Sequence, residues 1–164
     1  MTQVVGKTGA TSIFYGVYLR VAAEYTRPTD IAGVETLLGT GEEVGYHEKD
    51  SIISKVEPND TVEAQKAGSV VEVPQDYVGT FEAKNINGSE ANLQSAYDTY
   101  LGKDVDIILY DPKSERMQVI LDVPAIFTEE TGSKASLAIR VKKIINDPAS
   151  FRDRFSFSDF IAGT

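Results

Sequence analysis

The chain has 164 residues, a net charge of −9, 41% hydrophobic residues and neither cysteine nor tryptophan. That length fits one domain, residues 1–164, which buries about 70% of the surface its unfolded chain exposes and needs no disulfide or metal staple. The acidic balance argues against a sequence-reading nucleic-acid binder, which requires a cationic footprint, and the missing cysteines remove disulfides, thiolate zinc sites and cysteine nucleophiles.

Residues 1–12 read as a flexible arm, polar and rich in Gly and Thr. They lack the apolar stretch of a secretory signal, and no segment approaches the roughly 18 apolar residues of a membrane helix, so no membrane partner is expected. Ile13–Val21 alternates as a strand, with Tyr15, Val17, Leu19 and Val21 on one face and Phe14 and Tyr18 on the other. Apolar residues on both faces imply a strand covered on both sides, or partly covered by a neighbouring chain. Residues 24–50 read as a long early loop punctuated by Gly33, Gly39, Gly41 and Gly45, with Val34–Leu38 a helical turn or a short strand. Its anchors Ile31, Val34, Leu37, Leu38 and Tyr46 imply an extension that orders against something.

Short strands follow at Ser51–Val56, Thr61–Gln65 and Val70–Val73, and a longer one at Tyr77–Ile86. A helix is expected over Ser89–Leu101. Asn87 or Ser89 caps it, Leu93, Ala96, Tyr97, Tyr100 and Leu101 form its apolar stripe, and Gly102 ends it. Asp104–Tyr110 and Arg116–Phe127 form a hairpin, with Pro124 marking an edge or bulge. Ala135–Ile145 is the best amphipathic strand, and Phe151–Phe160 closes the chain with Phe alternating against Arg152 and Arg154. The expected fold is mainly β: an antiparallel sandwich or half-barrel of about eight strands with one helix on its flank.

The chemistry is thin. Gly6-Lys7-Thr8 lacks the upstream glycine, strand and helix of a phosphate-binding loop. His47 is the sole histidine and has no nucleophile elbow to serve. Asp104 and Asp106 project from one strand face, with Asp111 in the next turn, but the spacing is not that of a calcium loop. No catalytic residue, cofactor or metal site is therefore assigned, and the chain is not expected to be an enzyme. A metal-assisted hydrolase using Asp104, Asp106 and His47 is the least favoured alternative. A carbohydrate- or ligand-binding β-sandwich, whose eight Tyr would include stacking residues, is the stronger one.

The stretches Ser51–Pro58, Val62–Gly68 and Tyr77–Ala83, the helix Ser89–Leu101, the strand Ala135–Ile145 and the tail Phe151–Ser158 follow one another in an order that resembles bacteriophage tail-tube (major tail) proteins. Related neck, ring and secretion-tube proteins share it, and Phe14–Tyr18 resembles the start of such proteins. The resemblance implies a structural subunit of a virion that closes with copies of itself into a ring, hexameric if tube-like and larger if a neck or ring protein. It implies other virion structural proteins as partners, with assembly in the bacterial host cytoplasm. DNA would pass as a non-adhering polyanion, repelled by carboxylates of the lumen. Residues 1–12 and 24–50 would reach neighbouring subunits, and Phe14, Tyr15, Tyr18, Ile31, Val34, Leu37, Leu38 and Tyr46 would form interface.

Overall fold

The computed structural model of the chain describes residues 13–44, 47–86, 98–124, 127–129 and 135–162. The fold is mainly β, and its strands pair antiparallel. In chain order its elements are β1 (Gly16–Val21), α1 (Ile31–Gly39), β2 (Glu42–Glu43), β3 (Ile53–Pro58), β4 (Thr61–Lys66), β5 (Ser69–Pro74) and β6 (Tyr77–Ile86). Then come β7 (Asp104–Asp111), β8 (Arg116–Pro124), β9 (Phe127–Glu129), β10 (Ala135–Ile145), β11 (Arg152–Ser156) and α2 (Ser158–Ala162). A five-stranded sheet runs β11-β8-β7-β1-β2 and a four-stranded sheet β3-β6-β10-β9, while β4 and β5 form a two-stranded sheet of their own.

Period-two alternation builds the sandwich. Val17, Leu19, Val105, Ile107, Leu109 and Ile120 of the first sheet pack against Phe81, Ala83, Ile139, Val141 and Ile145 of the second. The first sheet is also apolar on its other face, where Tyr18, Ile108, Met117, Val119 and Phe155 meet Val34 and Leu37 of α1 and Phe160 of α2. Buried on both faces, β7 and β8 read as near-continuous apolar runs. The molecule therefore has three layers: a sheet, a second sheet, and a helical cover.

Several expectations are corrected here. The segment 24–50 is not an extended loop, because it contains α1, capped by Asp30 through the Gly33 N–H at 2.7 Å, and the strand β2. Its approach is fixed to β11, where Asp153 accepts from the Tyr25 hydroxyl at 2.6 Å and from Arg27 Nε at 3.0 Å. The expected strand Arg116–Phe127 breaks at Pro124, beyond which β9 joins the other sheet against β10. Of the expected helix, residues 98–100 are helical and Gly102 takes a left-handed φ of 79° after them. Leu93, Ala96 and Tyr97 lie outside the described residues. Tyr100 is buried and donates its hydroxyl to the Leu19 carbonyl at 3.0 Å, while Leu101 is exposed. No helix among the described residues is long and apolar enough to cross a membrane.

The strands β3 and β6 do not end as a pair. Their register, Pro58↔Tyr77, runs on without a shift into Thr61↔Pro74 of β4 and β5. Backbone bonds from Asn59 N–H to the Asp76 carbonyl and from Gln75 N–H to the Asp60 carbonyl bridge the gap. All four strands are thus one long hairpin, turned at Gly68 with a left-handed φ of 81°. The proximal half belongs to the sandwich and the distal half, residues 61–74, projects as an arm.

Candidate functional site

The side chains read as partner-facing divide into two groups. Phe14 is 60% exposed and Ile31 is also exposed. Phe14 is nonetheless fixed at the backbone, because its N–H donates to Asp111 Oδ2 at 2.9 Å. Burial disfavours the Asp111 carboxylate, yet bonds from Phe14, Ser114 and Lys113 outweigh that and pull its pKa below the usual range. Tyr15 and Tyr18 are half-buried against the two core clusters. Val34 and Leu37 are buried beneath the first sheet, and Leu38 packs beside them. These three are covered within the subunit and serve the chain's own core rather than a neighbour, whereas Ile31 is left exposed. Tyr46 lies outside the described residues.

Of the residues considered for metal chemistry, Asp106 is occupied by donors of the protein itself. Asp106 is buried and accepts from Arg20 Nε at 2.8 Å, from the Asp122 N–H at 2.9 Å and from the Ala23 N–H at 3.3 Å. A bulge places it so: Asp122, in a left-handed conformation, is extra in β8 where the β7–β8 register shifts. Asp104 is exposed at the strand start. Burial pushes the pKa of His47 down to about 4, with the Val44 backbone pulling the other way. Neither imidazole nitrogen has a hydrogen bond of good geometry among the described residues. No group of three or more metal-ligating side chains occurs among the described residues.

The arm is the feature that sequence reasoning left as two unrelated short strands. By alternation, Val62, Ala64, Val71 and Val73 share one face, with Val62 directly opposite Val73 and Ala64 opposite Val71. This face continues the side on which Ser54, Val56, Gly79 and Phe81 point into the sandwich. Across Val56 and Phe81 lies the first sheet, whereas Val62, Val71 and Val73 are exposed. Beyond each other, β4 and β5 make no extensive contact with another element among those described. The sequence signals were present: matched Pro58 and Pro74 around the arm, alternating valines, and Ala67-Gly68 at its centre.

An isolated two-stranded hairpin is marginal in water, and here the valines that continue a core face are exposed. The arrangement can therefore do one thing well, which is to insert a preformed, half-apolar ribbon into a complementary surface. No protein-family model matches the chain, and no curated protein matches it in sequence.

Proposed function

We propose that the chain is a structural subunit of a phage or phage-like tail tube, ring or neck, which self-assembles with copies of itself. The observation that carries this reading is the arm 61–74, a core-like β face projecting beyond the sheet that covers its proximal half. Burying its valines against a neighbour contributes about 25 cal/mol for each Å² removed from water. Subunits joined through an arm on one patch and a receptor on another meet head to tail, which is the geometry that closes rings.

Two further features fit. A closed ring removes free sheet edges, and β2, β3, β9 and β11 stand at the edges of the two sheets here. The net charge of −9 suits a channel through which a polyanion passes without adhering. In this reading the copies form a hexameric ring if the chain is a tube protein and a larger one if it is a neck or ring protein, within a virion assembled in the host cytoplasm.

Negative-stain microscopy and mass photometry of the purified full chain test the reading. Rings or tubes of uniform diameter are the expected result. A strict monomer at the highest attainable concentration would end it.

A further inference from the structure

Three arginines gather on one face of β8 and β11. The register sets Ser156 opposite Arg116, Arg154 opposite Gln118 and Arg152 opposite Ile120, so Arg116, Arg152 and Arg154 share the side that turns toward the second sheet. Arg152 donates to Ser54 Oγ at 2.6 Å and to Gln118 Oε1 at 3.3 Å. Burial and then repulsion from Arg154 lower its pKa. Among the described residues no carboxylate pairs with any of the three, although the chain as a whole is strongly acidic. Arg116 and Arg154 line an open cleft of about 440 Å³ whose other walls include Ile13, Tyr15, Gln118 and Phe155. No Asp or Glu lines it.

The arm carries the opposite charges in the same state. Glu63 and Glu72 are directly opposite each other across β4 and β5, an arrangement of like charges that destabilises a strand pair. Neither has an ion-pair partner among the described residues. Their face also presents Val70, which is 66% exposed. One surface therefore holds two unpaired carboxylates beside an exposed valine. The other holds unpaired guanidiniums beside Ile13 and Tyr15.

We infer that the cleft lined by Arg116 and Arg154 receives the arm of a second copy of this chain, with Glu63 and Glu72 set on the guanidiniums and Val70 against Ile13 and Tyr15. Both like-charge clusters are relieved in one contact, and a guanidinium facing a carboxylate forms the charge-assisted bond that fixes register. The valine face of the arm stays on the opposite side, available to a further copy. Because arm and cleft are different patches, each subunit donates one and offers the other. The inference rests on the assembly reading and names the contact by which it would proceed.

Charge reversal tests it. One variant carries Glu63→Arg and Glu72→Arg; a second carries Arg116→Glu and Arg154→Glu. Circular dichroism and thermal unfolding confirm that each remains folded, since all four side chains are exposed. Sedimentation velocity at low salt is expected to show self-association weakened at least about a hundredfold in each variant alone, because reversal sets like charges together. Mixing the two variants is expected to restore association, as every arm then finds a cleft of opposite sign. If wild type assembles and neither variant is impaired, or if both are impaired and mixing restores nothing, the arm–cleft contact is wrong and the assembly reading stands. If wild type is monomeric, both fall.

Discussion

Strands β3 and β6 and strands β4 and β5 are two halves of one ribbon with one register and one alternation of apolar and polar residues. In the proximal half Phe81 is buried in the core and Val56 packs against it, partly buried. In the distal half Val62, Val71 and Val73 lie on the same side of the ribbon and meet solvent. Local sequence cannot account for the contrast, because both halves have the strand grammar of a half-buried surface. What differs is whether another layer of the same subunit stands opposite. The proximal half is stable by packing; in the proposed reading the distal half is completed by a partner.

If that contrast is correct, substitutions in the body cost folding stability and substitutions in the arm do not. The largest effect is expected for Asp106→Ala. It leaves the buried Arg20 guanidinium with only long contacts to Thr40, Ala23 and Glu24 at 3.3–3.4 Å, and breaking such a pair costs about 3–5 kcal/mol. Chemical denaturation measures it, and a loss below about 1 kcal/mol would show that the pair is not structural.

Next in size is an acid effect centred on His47. With its folded pKa near 4 against 6.5 in the unfolded chain, the folded state binds the proton less readily. Stability is fully present above pH 6.5 and falls as pH drops toward 4, by about 3 kcal/mol in all. Asp153, held below the usual carboxylate range by its bonds to Arg27 and Tyr25 against the opposing effect of burial, adds a further loss at lower pH, as it is protonated. Unfolding of His47→Asn followed from pH 7 down to about 2 should show the first of these losses removed and the second, below about pH 4, retained.

Gly79→Ala comes third. A Cβ at Gly79 would stand 2.3 Å from the ring of the buried Phe151, and overpacking of this kind costs about 1–3 kcal/mol. By contrast Val71→Ser, on the same hairpin beyond the covering sheet, is expected to change monomer stability by about 0.5 kcal/mol or less. Thermal unfolding of the two variants side by side reads the difference directly.

Much of the body was legible in the sequence because its signals are local. Tyr77–Ile86 and Ala135–Ile145 emerge as strands at the residues where their period-two patterns lie, whereas the expected strand Ile13–Val21 forms only over Gly16–Val21, with Val17 and Leu19 buried and Ile13, Phe14 and Val21 exposed. The helix α1 was only half legible. Val34–Leu38 left a helical turn open, but Gly33 and Gly39 weaken the pattern, and its apolar face becomes intelligible only once Ile108 and Val119 lie beneath it. The Arg20–Asp106 pair joins residues far apart in the chain that only the β1–β7 register sets opposite each other, and Asp106 shares its strand face with the buried Ile108, so reading that face as half-exposed misled. The arm escaped notice for a related reason. That β3 and β4 share a register with β5 and β6 is a fact of pairing, and nothing within either short strand announces it.

Deleting the arm tests the central claim most directly. Asp60 and Gln75 are already bridged by a backbone hydrogen bond, so a two-residue Asn-Gly turn in place of residues 61–74 closes the proximal hairpin where it is already paired. Sedimentation velocity on the full chain and the shortened one, over the same concentration range, should show association in the first and a monomer in the second, with the same thermal midpoint for the folded body. A shortened chain that assembles as well as the full one, or a full chain that never assembles, would contradict the account.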